Sequence, residues 1–178
     1  MDERDAESFI AAAIPRTAAV WADIGAGDGT FTRALLRLLG PGSRIYAIDR
    51  DRKALARLAR QADGTSGAVI PVVADLAHPF ELPGDARPAL DGMVFANSLH
   101  YFRDPAELLG RLVAWLGPEG RVVIVEYDDR GPNRWVPYPV PRSRLPDLVR
   151  RAGLKPPTIT AERPSAYGGT MYVAVAER

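Results

Sequence analysis

The stretch Val20-Trp21-Ala22-Asp23-Ile24-Gly25-Ala26-Gly27-Asp28-Gly29-Thr30 sets three glycines into five positions directly behind an apolar run. An apolar run of this length reads as a strand, and Phe31, Ala34, Leu35 and Leu38 then recur at helical spacing until Gly40-Pro41 stops them. The glycines thus occupy a strand-to-helix turn, where missing side chains let the main chain bend tightly and let a ligand approach the backbone. Spacing narrows the ligand. A dinucleotide fingerprint wants glycine or alanine in the sixth position of G-x-G-x-x-G, whereas Gly29 arrives one residue early and Thr30 stands sixth. Asp28, inside the turn, would also repel a diphosphate at the helix N-terminus.

Working outward, strand-length and helix-period segments alternate, the pattern of an α/β domain built on a mainly parallel sheet. Residues 44–48 form a second strand ending at Asp49, and a helix follows with Leu55, Leu58, Ala59 and Ala62 inward and Lys53, Arg57 and Arg60 on a solvated side. A third strand over 68–74 ends at Asp75, and the proline-bearing stretch 78–88 leaves little room for a helix. A fourth strand over 91–97 leads to Asp104-Pro105-Ala106-Glu107, an N-cap with proline in the first turn and a capping-box acid. Its helix carries Leu109, Leu112, Val113 and Leu116 inward and ends at Gly117-Pro118; a fifth strand over 121–127 is apolar almost throughout and so reads as central. Pro132, Pro137, Pro139 and Pro141 make 128–142 a loop. Ser143 then caps a helix through Leu145, Leu148, Val149 and Ala152, and strands over 158–161 and 171–176 close the chain as an antiparallel hairpin.

A chain of 178 residues, 47% hydrophobic and 25% charged, fits one domain with a substantial core, spanning 1–178. It holds no run of eighteen apolar residues, and Met1-Asp2-Glu3-Arg4-Asp5 carries acids where a secretory leader carries cations, so the expected compartment is the cytoplasm. Without cysteine, disulfides, thiolate metal sites and a cysteine nucleophile are excluded. A formal charge of +1 gives no concentrated field for nucleic acid or an anionic membrane.

Asp23-x-Gly25-x-Gly27-x-Gly29 resembles the D/E-x-G-x-G-x-G first motif of class I S-adenosylmethionine-dependent methyltransferases of the small-molecule type, and the similarity covers 21–127. The resemblance implies a Rossmann-like three-layer sandwich whose seven-stranded sheet is mostly parallel with an antiparallel last strand. It implies S-adenosylmethionine as cofactor, leaving as S-adenosylhomocysteine, with Gly25, Ala26 and Gly27 along it and Asp23 holding the methionine amino group. Asp49, with Arg50 beside it, would take the ribose hydroxyls; Asp75 would take the adenine amino group, with Leu76 alongside the ring. Asn97, opening Asn97-Ser98-Leu99-His100, would face the methyl donor and acceptor. Plainer readings stay open: a tight turn for the glycines, a loop-organising acid for Asp23, helix caps for Asp49 and Asp75. Acids at two consecutive strand ends, the crevice where open α/β sheets bind ligands, favour the nucleoside.

A sulfonium methyl is already activated, so alignment does most of the work, on the order of 7–11 kcal/mol in favourable intramolecular models. A base is needed only for a protonated amine or a neutral hydroxyl. His100 is the candidate, because imidazole titrates near neutrality; a packing or capping histidine is the alternative. Tyr101, Glu126, Tyr127 and Asp128 are further candidates near strand ends, and His78 reads as a surface residue. Asn97-Ser98-Leu99-His100 departs from the Asn-Pro-Pro-aromatic motif of many amino methyltransferases acting on nucleic acid or glutamine. The expected acceptor is therefore a small molecule. Tyr101, with Trp135 and Tyr138 on the 128–142 loop, forms its wall or lid; otherwise this is a surface loop anchored by a buried tryptophan. Glu126, Asp128 and Asp129 make no complete ligand set, so no metal is expected. Residues 1–15, with Phe9 and Ile10 on an apolar side, are a candidate cofactor cover. Two rivals remain: an NAD(P)-dependent oxidoreductase, which would also use Asp49, and a noncatalytic S-adenosylmethionine-binding module. The oligomeric state is left open.

Overall fold

The computed structural model describes residues 1–15, 17, 19–62, 67–84 and 89–178. Its sheet is built from β1 (Val20–Ile24), β2 (Arg44–Asp49), β3 (Ala68–Val73), β4 (Leu90–Ala96), β5 (Leu116–Tyr127), β6 (Thr158–Pro164) and β7 (Thr170–Glu177). The spatial order is β3-β2-β1-β4-β5-β7-β6. β1 to β5 pair in parallel, and β7 lies antiparallel between β5 and β6. The strand order reverses at β1, which pairs with β2 on one side and β4 on the other, so the carboxyl ends of β1 and β4 flank a crevice.

Helices cover both faces, as the alternating pattern requires. On one, α1 (Glu3–Ile10) and α2 (Thr30–Leu39) bury Phe9, Ile10, Leu35 and Leu38 against Val94, Val123 and Val125. On the same face α3 (Arg52–Ala62) sets Leu55 and Leu58 against Ala47. On the opposite face α4 (Pro105–Val113) and α5 (Leu145–Arg151) pack Leu109, Leu112, Leu148 and Val149 onto Phe95, Val122 and Ile124. The run Val122 to Val125 therefore alternates between two cores and is wholly buried, which is why it carries no polar residue. No helix among the described residues is long and apolar enough to cross a membrane.

The boundaries at Leu116 and Ser143 differ from the sequence reading, and β6 runs on to Pro164 rather than ending at Ala161. Leu116 belongs to β5, where it pairs with Leu90 before the register jumps to Gly92 and Arg121. It is buried in either assignment, so helical spacing alone could not separate them. Ser143 does not cap a helix: residues 142–144 form a 3-10 turn, and Arg144 stands at the N-cap of α5 without a side-chain bond. Pro146 in the first turn accounts for this, since its fixed φ sets where the α-helix begins. No helix follows β3 among the described residues, in keeping with the expectation for 78–88, of which 85–88 lie outside the described residues. Leu76, Phe80 and Leu82 cover that wing instead, with Phe80 edge-on to Trp115 at 5.1 Å and Arg111 donating to the Leu76 carbonyl at 2.6 Å.

Gly92 is register partner to the fully buried Trp21, and a Cβ there would stand 2.4 Å from the indole ring. Gly92→Ala should therefore cost about 1–3 kcal/mol as an overpacked site. Urea unfolding checks this: the midpoint should fall with the slope unchanged, and an unshifted midpoint would refute the contact.

Candidate functional site

Gly25, Gly27 and Gly29 all adopt positive φ, at 82°, 53° and 81°, which explains why side chains are absent from the turn. Gly25 and Ala26 donate their amides to the Ile48 carbonyl at 2.9 and 3.0 Å, and Gly29 donates to Ala26 at 2.8 Å. The Asp49 carboxylate, at the end of β2, accepts from Gly27 N at 2.9 Å and from Asp51 N at 2.8 Å. The turn also crosses to the next strand, because a Cβ on Gly25 would lie 2.7 Å from Ser98 Cβ. Gly25, Ala26, Gly27 and Asp49 are thus one unit, and Arg50 is exposed beside it.

Asp23 is buried and accepts from Thr32 Oγ1 at 2.6 Å. Burial lifts its carboxyl to about 6, the Thr32 hydrogen bond opposes the rise, and the Asp49 charge adds to it. Asn97 takes the left-handed conformation, with φ of 54°, and its Oδ1 is buried without a partner, as is Ser98 Oγ beside it. Such orphaned atoms cost about 1–3 kcal/mol each unless a ligand meets them. Asp75 stands past the end of β3 with its carboxylate on Ala77 N at 3.0 Å and much of its side chain exposed; Leu76 beside it is buried.

His100 follows β4 on a short 3-10 turn and is only 2% exposed. Its Nδ1 lies 2.7 Å from Glu126 Oε2, and its backbone amide donates to Glu126 Oε1 at 3.2 Å, so one buried carboxylate grips both ring and main chain. A proton on Nδ1 is what this carboxylate favours, which leaves the lone pair on Nε2. The His100 ring meets Tyr101 at 4.5 Å and Tyr127 at 6.2 Å between centroids. The 128–142 loop is pinched at its base by Asp128 and Arg142, 2.6 Å apart, and hooked to this turn by Tyr138 N donating to the His100 carbonyl at 3.0 Å. Asn133 Oδ1 accepts from Trp135 N and Val136 N, an Asx turn at the tip. Val136 and Val140 are the buried anchors, whereas Trp135 is 63% exposed beneath the Arg134 guanidinium. The reading of a loop anchored by a buried tryptophan is therefore corrected: the smaller flanking valines fit the core while the indole stacks on a cation. Tyr101 and Tyr138 are gathered at His100; Trp135 is not in ring contact with it.

His78 is exposed, as expected. Among the described residues no three candidate ligands gather for a metal: Glu126 is engaged by His100, and Asp128 by Arg142. Residues 1–15 bury Phe9 and Ile10 in the core against α2, with Glu3 bonded to Arg33 and Arg37. Thr32 escaped the sequence reading, and Ser98 entered it only within Asn97-Ser98-Leu99-His100 with no role of its own, because neither belongs to a spacing pattern. Glu126 as a partner of His100 did have a signal: an acid ending an otherwise apolar central strand must find a proton donor.

The family model described as methyltransferase domain matches residues 22–122. Sequence comparison with curated proteins finds no match. Among solved structures, the Burkholderia thailandensis 1,6-didemethyltoxoflavin-N1-methyltransferase, with bound 1,6-didemethyltoxoflavin and S-adenosylhomocysteine, aligns at 27% identity and TM-score 0.70, over 99% of this chain and 77% of that one. An S-adenosylmethionine-dependent methyltransferase from Aquifex aeolicus shares the fold at 15% identity and TM-score 0.68, covering 99% and 98%. The mitomycin 7-O-methyltransferase MmcR does so at 20% identity and TM-score 0.69, and this chain spans 54% of its length.

The raised Asp23 pKa makes a stability prediction. Below the ordinary value of 3.8 the acid is protonated in both states and costs nothing; as pH rises through about 6 the unfolded chain ionises first, and stability on the order of 3 kcal/mol is lost. Asp23→Asn should therefore gain on the parent protein between pH 4 and 7 and converge with it below that window. Urea midpoints across pH 3.5 to 8 test this, and a difference that ignores pH would sink it.

Proposed function

The chain belongs to the methyltransferase-domain family, and on that premise we propose that it moves the methyl group of S-adenosylmethionine to a small-molecule acceptor in the cytoplasm, with His100 as base and Glu126 as the residue that orients it. The carrying observation is the hydrogen-bond balance of the glycine turn. Four of its amides, those of Gly25, Ala26, Gly27 and Gly29, are already committed to protein acceptors. Buried Asp23 and the orphaned oxygens of Asn97 and Ser98 lie on the acceptor side of that balance. Committed glycine amides beside a buried carboxyl and partnerless oxygens suit the ammonium of S-adenosylmethionine better than a dinucleotide's pyrophosphate.

Asp23 would hold the ammonium, and the bare backbone of Gly25, Ala26 and Gly27 would admit the methionine end. Asp49 keeps lone pairs for the ribose hydroxyls beyond the two amides it accepts, with Arg50 at the rim. Asp75 and Leu76 would receive the adenine, Asn97 would face the methyl group, and residues 1–15 would cover the cofactor. When bound, S-adenosylmethionine supplies a methyl group already activated on sulfur. His100 Nε2 would take the acceptor's proton while Glu126 steadies the imidazolium, and Tyr101, Tyr138 and Trp135 would wall the acceptor. The 1,6-didemethyltoxoflavin bound to the Burkholderia relative is consistent with such a wall.

His100→Ala should lower kcat by about 10²- to 10⁴-fold while leaving the S-adenosylhomocysteine dissociation constant within about twofold. Release of S-adenosylhomocysteine across an acceptor panel measures this, and normal turnover would remove His100 as the base. Separately, S-adenosylhomocysteine at 100 times its dissociation constant should add about 2.7 kcal/mol of apparent stability. A thermal shift produced by NAD alone would overturn the cofactor assignment.

A further inference from the structure

One cation beside the acceptor wall has no use in the scheme above. Arg130, just past the end of β5, places its guanidinium 4.6 Å from the Tyr127 ring centroid and 5.6 Å from that of Tyr167, in the turn between β6 and β7. Its Nη2 donates to the Tyr167 carbonyl at 2.6 Å. Arg130 has no carboxylate partner among the described residues. The acids around it are committed elsewhere, Glu126 to His100 and Asp128 to Arg142, while Asp129 lies exposed against Gly169. Nearby Arg142 and Arg163 do pair with acids, Arg142 also with Glu162 and Arg163 with Asp5. Arg130 is thus held in place by two rings and one carbonyl, with most of its five N–H donors uncommitted.

The path from base to guanidinium is lined by rings. His100 meets Tyr127, and Tyr127 meets Arg130, with Tyr101 flanking the histidine. Burial lifts the Tyr127 hydroxyl above its ordinary value while Arg130 opposes the rise, so it serves as a neutral donor at neutral pH. Flat faces favour a flat ligand, and a planar guanidinium fork matches a carboxylate bidentately. Because the side chain is already ordered, little rotamer entropy is lost when it binds.

We infer that Arg130 selects the acceptor: a planar aromatic molecule whose methylated atom faces His100 and whose far end carries a carboxylate bound by the Tyr127-Arg130-Tyr167 stack. This rests on the methyltransferase reading of the same site. The selection operates on binding and requires no step beyond methyl transfer itself.

The test uses the full chain saturated with S-adenosylhomocysteine and titrates matched probes calorimetrically: 4-hydroxybenzoate and 6-hydroxy-2-naphthoate against their neutral carboxamides. The parent protein should bind at least one acid about tenfold or more tighter than its amide. Arg130→Gln should erase that preference while leaving amide and S-adenosylhomocysteine affinities unchanged, and Arg130→Lys should restore part of it. Equal affinity for acid and amide, binding of neither, or a preference that survives in Arg130→Gln would overturn the inference. Should Arg130→Gln fail to fold, the acid-to-amide ratio of the parent protein decides alone. Intact S-adenosylhomocysteine binding in those cases leaves the methyltransferase reading standing; its loss in the parent protein would strike that reading instead.

Discussion

One half of the crevice, the His100 turn with the 128–142 loop, hangs on one buried carboxylate. Glu126 follows the wholly buried apolar run Val122 to Val125 near the end of β5, and its two oxygens hold the ring and the backbone amide of His100. The His100 carbonyl in turn receives Tyr138 N, which hooks the 128–142 loop to the end of β4. A charge buried this deeply is tolerated only with a partner, and removing one member of such a pair typically costs 3–5 kcal/mol. The residue whose side chain orients the imidazole therefore also holds the turn to which the 128–142 loop is hooked. Asp128 and Arg142 complete the arrangement at the base of the loop, so the wall is a fixed surface with its tip set by an Asx turn.

The other half, the glycine turn, is organised by the opposite device. There the backbone bends through three left-handed glycines, and four of its amides are taken internally by Ile48, Ala26 and Asp49. Buried beside it are the Asp23 carboxyl and two oxygens without a partner, Asn97 Oδ1 and Ser98 Oγ. The raised pKa of Asp23 belongs to the same economy, since a carboxyl reluctant to ionise in its burial is one that a neighbouring cation would stabilise.

Much of this could be read from the chain before any coordinates. Strand ends marked by Asp49 and Asp75, the Asp104-Pro105 helix start and the closing hairpin follow from patterns that short-range chemistry enforces, and the structure has them where expected. What could not be read depends on long-range contact. Leu116 fits a helix stripe and a strand equally well until Leu90 is seen beside it. Ser143 looks like a cap until Pro146 sets the helix start. Trp135 looks like an anchor because it is the largest apolar residue of its loop, but Val136 and Val140 reach the core and the indole does not. Glu126 was visible as an anomaly, whereas the unpaired state of Arg130 shows only once Glu126 and Asp128 are seen to be taken by His100 and Arg142.

The two halves must also be held in register with each other, because methyl transfer depends on alignment and a misplacement of about 1 Å can cost on the order of 10²-fold. That register is carried across β1 and β4. Gly25 packs so closely on Ser98 that any side chain would force them apart, and Gly92 lets β4 approach the buried Trp21 of β1. Both glycines act at the seam where the strand order reverses, one at the crevice and one beneath it. The first looks like part of a binding motif and the second like an incidental gap in a strand, yet they serve the same end. The donor turn and the His100 turn are kept at a fixed separation by two places where the chain has no side chain at all.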